Sequence, residues 1–130
     1  EVASYARMGY ECRHNCSYWT GVPYLGIGPG AVSMEQNDEG RWRSQDGHIL
    51  ERLDRYQREA EDLMLGMRLT KGISDIRLHQ AAQLLPQASN TFSSLVSLGL
   101  VEHTNGVWQP SEKGWLLGNE LYGALLDLAP

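Results

Sequence analysis

Apolar positions along residues 51–130 recur at helical spacing, whereas those along residues 1–50 do not. Asp54 can cap a helix starting at Arg55, because its carboxylate accepts the free N–H groups of the first turn. Tyr56, Ala60, Leu63, Met64 and Met67 then fall on one face. Lys71-Gly72 supplies a cation and a glycine as the stop. Ser74 is the next cap, leading Ile76, Leu78, Ala81, Ala82 and Leu85 up to Pro86, which bars continuation. A third helix is predicted over Ala88–Leu98, with Phe92, Leu95 and Val96 inward and Gly99 ending it. Leu100–His103 and Val107–Gln109 flank Thr104-Asn105-Gly106. Asn-Gly between apolar runs predicts a hairpin, since both turn residues must accept positive φ. Pro110-Ser111-Glu112 starts a single last helix, with Trp115, Leu117, Leu121, Tyr122, Leu125 and Leu126 on its apolar side.

Helix, helix, helix, hairpin, helix is the order of a winged-helix domain. The expected fold class is mainly α with a small β component (α+β). Residues 1–50 carry 7 of the 14 glycines, 4 of the 6 tyrosines, 2 of the 4 tryptophans and both cysteines. That composition places a boundary near residue 50. Ahead of it stands a short, irregular strand-and-loop segment, too glycine-rich for a core of its own. Behind it, residues 51–130 read as a complete helical domain. In the front segment Glu1–Tyr5 reads as a short strand, and Tyr24–Gly28 as a buried strand entering the loop Pro29-Gly30-Ala31. Asp38-Glu39-Gly40 turns a hairpin into Arg41-Trp42-Arg43. The chain opens on Glu1 rather than Met and enters aromatic-rich sequence at once, the expectation for a piece of a longer protein.

Charge alters the winged-helix reading. The net charge is −5, and phosphate binding needs Lys and Arg to displace counterions. The segment in the recognition-helix position, Gln87–Leu98, has no Lys or Arg, and neither does the wing. Nucleic acid is therefore not an expected partner. No apolar run is long enough for a membrane-spanning helix, and no signal peptide is visible.

The densest chemistry lies in Cys12-Arg13-His14-Asn15-Cys16-Ser17-Tyr18-Trp19. Zinc is commonly held by two ligand pairs, and no second pair exists. An iron–sulfur cluster needs three or four thiolates. Cys12-x3-Cys16 imitates the first half of a C-x3-C-x2-C signature, but position 19 is Trp. Without a secretion signal, a disulfide is not favoured. His14 also fits a hydrogen-bonded structural role. Glycines 26, 28 and 30 allow close approach of a ligand or of another backbone, but they lack the spacing and βαβ context of a dinucleotide fingerprint.

Several spaced blocks carry a resemblance. These are Glu1–Arg7, Gly9–Asn15, Tyr18-Trp19, Tyr24–Ala31, Glu61–Leu69, Gly99–Val101 and Lys113-Gly114 with Asn119. Together, over essentially the whole chain, they resemble the oxygen-independent coproporphyrinogen III oxidase family of radical-SAM proteins. His14-Asn15-x-x-Tyr18-Trp19 is similar to the H-N-x-x-Y-W motif of its heme-chaperone (HemW-type) branch.

The resemblance implies that residues 1–50 end a radical-SAM barrel and that residues 51–130 form the family's C-terminal domain. It implies a cytoplasmic full-length protein with S-adenosylmethionine and a [4Fe-4S] cluster. Such a protein binds heme or porphyrin and hands heme to an acceptor protein, which can be membrane-associated. The cluster cysteines are absent from this chain, and Cys16 lies outside the family motif. On the same ground His14 is the expected ligand to heme iron, with Asn15 holding its ring nitrogen and Tyr18 and Trp19 offering flat surfaces. Ala31 and Val32 take the place of a loop that contacts S-adenosylmethionine. The alternatives are decarboxylation of coproporphyrinogen III to protoporphyrinogen IX and, from another class, a winged-helix binding module. The 130 residues alone are expected to lack catalytic activity. A homodimer is compatible with an apolar front segment that must pack on something.

Overall fold

The computed structural model describes residues 4–130. A short helix α1 (Arg13–Trp19) is followed by three strands, β1 (Val32–Asn37), β2 (Gly40–Gln45) and β3 (His48–Asp54). Then come α2 (Arg55–Gly66), β4 (Ile73–Ser74), α3 (Asp75–Ala82) and α4 (Ala88–Ser97). The hairpin β5 (Val101–Thr104) and β6 (Val107–Pro110) leads to α5 (Glu112–Leu116) and α6 (Gly118–Leu126). The result is an α+β arrangement with two small antiparallel sheets, in strand orders β1-β2-β3 and β4-β6-β5.

The start signals of the second part act as expected, whereas α2 ends at Gly66, ahead of the expected Lys71-Gly72 stop, and α3 ends at Ala82, ahead of Pro86. Asp54 Oδ1 accepts from the N–H groups of Tyr56 and Gln57, and the Gln57 side chain accepts from the Asp54 N–H, closing a capping box. Ser74 caps α3 by accepting from the Arg77 N–H. Asn105 and Gly106 have φ of 52° and 75° and join β5 to β6. Ala60, Leu63 and Met64 of α2, with Met67 at its C-cap, meet Leu78, Ala81, Leu85, Phe92, Leu95, Leu121 and Leu125 in one core. Four expected inward positions are instead exposed: Ile76 (74%), Val96, Leu117 and Leu126. None of these side chains is among those packed in or against the core.

The last helix is two. Leu117, at φ −104° and ψ 39°, breaks it between α5 and α6. The halves answer different constraints. Ser111 caps α5 by accepting from the Gly114 N–H at 3.0 Å. Gly114 itself lies so close to the Leu100 carbonyl that a Cβ would overlap it. In α6, Leu121 and Leu125 point into the core. Gly114→Ala must push α5 off the β5 entry, and a loss of about 1–3 kcal/mol is expected, read as a lowered urea midpoint at unchanged slope.

The front segment differs most from its expectation. Residues 32–54 form a three-stranded antiparallel meander with one register shift between Arg43 and Ser44, not an irregular loop. Residue 50 falls inside β3, which runs directly into α2. Tyr24–Gly28 is not a buried strand. Tyr24 makes one isolated bridge to Met34, while Leu25 and Ile27 are 78% and 89% exposed. The expected strand at Glu1–Tyr5 lies partly outside the described residues, and Ser4 and Tyr5 are not in a strand.

Polar packing explains the meander. The register places Met34 opposite Arg43, Gln36 opposite Arg41, and Arg41 opposite Leu53 on one face. That face meets α2 through charge. Arg41, 1% exposed, forms ion pairs with Glu61 and, at 2.7 Å, with Asp62. Its Nε and Nη2 also donate to Gln36 Oε1 at 3.0 and 2.7 Å. Arg43 Nη2 pairs with Glu61 at 2.9 Å and Nη1 with Glu51.

Candidate functional site

Helix α1 brings the motif residues together in an unanticipated form. His14 and Tyr18 are four apart, so a helical turn stacks them on one face. Tyr18 Oη lies 3.1 Å from His14 Nε2, and the two rings meet edge-on at 5.0 Å. Tyr18 also meets the Tyr24 ring edge-on at 5.1 Å. His14, Tyr18 and Tyr24 thus form a row, with His14 exposed and Tyr18 39% exposed.

The remaining expected site residues are placed elsewhere. Asn15 is exposed and makes no side-chain hydrogen bond among the described residues, so Tyr18 rather than Asn15 engages the imidazole. Trp19 turns the other way and packs against the helical core. Ala31 and Val32 stand half-buried at the entry to β1. Their loop is tied to the β2–β3 turn: the Gly30 N–H donates to Asp46 Oδ1 at 3.0 Å, and Gln45 Nε2 donates to the Gly30 carbonyl at 2.6 Å. The Gly26 N–H donates to Ser33 Oγ at 2.9 Å, and a Cβ on Gly26 would lie 2.5 Å from the Val32 carbonyl oxygen, so this glycine approaches backbone of its own chain. No hydrogen bond or ring contact joins Ala31 or Val32 to α1 among the described residues.

The carboxy-terminal end of α1 is anchored twice. Gly21, at φ +70°, sits on the buried ion pair, where a Cβ would lie 2.7 Å from Asp62 Oδ1 and 2.8 Å from Arg41 Nη2. Gln36 Nε2 donates to the Gly21 carbonyl at 3.3 Å. The second anchor is Arg68, whose guanidinium stands 5.1 Å from the Trp19 ring and 4.6 Å from the Tyr122 ring of α6. Burial pushes the Asp62 carboxyl above its ordinary range, against the hydrogen bond and charge of Arg41. Burial likewise raises the Tyr122 phenol, against the charge of Arg68. Arg41, Arg68, Tyr24 and Tyr122 were not expected at the site. Arg68 lies in one of the resembling blocks, but only tertiary contact gives it a neighbour in α1.

Cys12 is exposed, Cys16 is half-buried, and both are free thiols. No group of three metal-binding side chains converges among the described residues. An open cleft of about 580 Å³ lined by Glu102, Lys113, Leu116 and Leu117 contains none of the expected ligand residues. No helix among the described residues is long and apolar enough to cross a membrane.

Residues 53–117 match the family model described as HemN C-terminal domain. A protein of Synechocystis sp. named heme chaperone HemW is 32% identical over 114 residues, covering 76% of this chain and 27% of that protein. One of the same name from Bacillus subtilis is 26% identical, covering 97% of this chain and 37% of its own length. The Escherichia coli protein of that name is 44% identical over 41 residues, 32% of this chain and 11% of its own. The chain therefore spans well under half the length of these curated relatives. No solved structure matches it.

Proposed function

Because the chain belongs to the HemN C-terminal domain family, we propose that it is the C-terminal part of a radical-SAM heme chaperone. Residues 1–50 are the end of the barrel and residues 51–130 a winged-helix-like domain. Heme is the cargo, carried in the cytoplasm to an acceptor protein. The observation that carries this reading is the exposed His14 imidazole, held on a helical turn beside Tyr18 at 3.1 Å.

An exposed imidazole fits an axial position on heme iron. Nε2 is engaged by the Tyr18 hydroxyl, so ligation at Nε2 exchanges that hydrogen bond for iron. Tyr18 then remains beside the ring, which restricts its rotation. Ala31 and Val32 can offer S-adenosylmethionine only backbone and van der Waals contact. A [4Fe-4S] cluster does not fit these residues. The chain holds two cysteines, fewer thiolates than a cluster needs, so radical generation is assigned to other parts of the full-length protein.

Hemin titration followed in the Soret band tests the reading. His14→Ala is expected to weaken binding by about tenfold, the loss of one axial bond. Unchanged affinity in this variant would reject His14 as the ligand. Conversion of coproporphyrinogen to protoporphyrinogen by the reconstituted full-length protein would replace the chaperone reading with the oxidase.

A further inference from the structure

We infer that Arg68 is a positioning residue, through which the helical part of the chain sets the orientation of α1 and so the direction in which His14 presents its imidazole. The inference deepens the heme-binding proposal and rests on it.

Helix α1 needs such support. It has seven residues and buries none of them. Isolated helices shorter than about 12 residues are marginal in water. Its N-cap residue, Cys12, makes no side-chain capping bond, and its first turn holds no acidic residue. Tertiary contacts must therefore hold it in place. The Gly21 contact fixes the position of its carboxy-terminal end, and the edge-on Tyr18–Tyr24 contact braces the face that carries His14. On its other side Trp19 packs against the helical core, and Arg68 grips it there.

The grip has the features of a cation–π clamp. The guanidinium stands over one ring on α1 and one on α6, while Nε reaches Met64 Sδ at 3.3 Å. Arg68 forms no ion pair with a carboxylate among the described residues, so aromatic faces are the main partners of its charge. A planar guanidinium can face two rings at once, which the compact ammonium of lysine does less well. Turning Trp19 turns His14 with it, because both sit on the same short rigid element.

The test uses the 130-residue chain, hemin as the probe, and amide hydrogen exchange on the ligand-free protein. Arg68→Met keeps the length and loses the charge. Exchange across Arg13–Trp19 is expected to speed up about fivefold while amides of α3 and α4 keep wild-type rates, matching the loss of cation–π contacts. Hemin affinity falls by about fivefold, and the Soret maximum shifts because the imidazole meets iron at an altered angle. Arg68→Lys restores part of both. Trp19→Leu, which removes the ring and keeps the arginine, reproduces the exchange pattern, and the double variant is no worse than either single one.

Wild-type exchange in α1 of both Arg68→Met and Trp19→Leu would overturn the inference. So would an unshifted Soret band and full affinity in Arg68→Met when His14→Ala has lost binding. If His14→Ala binds hemin normally, the heme reading fails, and the exchange experiment still decides whether Arg68 orients α1. Accelerated exchange spread evenly over α3 and α4 would mark a general loss of stability and also count against it.

Discussion

Arg41→Ala is expected to remove about 3–5 kcal/mol of unfolding free energy, because it breaks a buried ion pair from one side only. The guanidinium lies at 1% exposure and pairs with Glu61 and Asp62 on α2, with Gln36 accepting from it as well. Removal leaves Asp62 with no ion-pair partner among the described residues, while Glu61 retains Arg43. Charged groups left partly buried and unpaired are far more costly than the net worth of the intact pair. Small domains are stable by about 5–15 kcal/mol, so one substitution removes a large share. Arg41→Lys should fall between, since an ammonium cannot match two carboxylates and an amide in one plane. Urea unfolding measures both variants. A loss in Arg41→Ala of less than about 1 kcal/mol, the value typical of an exposed pair, would refute the buried-network account. Because Gly21 rests on this pair, the same variant should also free the carboxy-terminal end of α1.

Phe92→Ala is the second large effect, at about 3–5 kcal/mol. Phe92 of α4 is fully buried and meets the Trp108 ring edge-on at 5.6 Å and 83°. Trp108 in turn stacks on His103 at 3.8 Å and donates from Nε1 to Asp75 Oδ1 at 2.6 Å. The ring is thus held on its outer side, which restricts collapse into the space Phe92 vacates. That favours the upper part of the cavity range, with about 0.5–1.5 kcal/mol from the edge-to-face pair itself. Phe92→Leu keeps most of the volume and should lose far less. Equal losses in the two variants would show that volume is not what Phe92 supplies.

The candidate site was legible in the sequence only in part. The spacing of His14, Tyr18 and Trp19 identified the segment. It did not reveal that His14 and Tyr18 share a helical face while Trp19 points toward the core. Asn15 was the obvious polar neighbour of His14 along the chain, yet the residue four places on reaches the ring. Arg68 carries no local signal for its role, because its two aromatic partners are 49 residues before it and 54 after it in the sequence.

The sequence by itself determined the helices that begin near Arg55, Asp75 and Ala88, the helix start at Pro110-Ser111-Glu112, the caps at Asp54 and Ser74, and the Asn105-Gly106 hairpin. Each depends on residues within a few positions of one another, where a side-chain oxygen or a positive φ acts locally. Tertiary structure decided the rest. The inner face of the first sheet carries Gln36, Arg41 and Arg43, so it shows no apolar alternation, and its partners Glu61 and Asp62 lie about twenty residues away. The break at Leu117 follows from Gly114 meeting the Leu100 carbonyl while Leu121 and Leu125 enter the core. Helix α1 has too few residues to stand alone, and it exists where Arg41, Asp62 and Arg68 hold it.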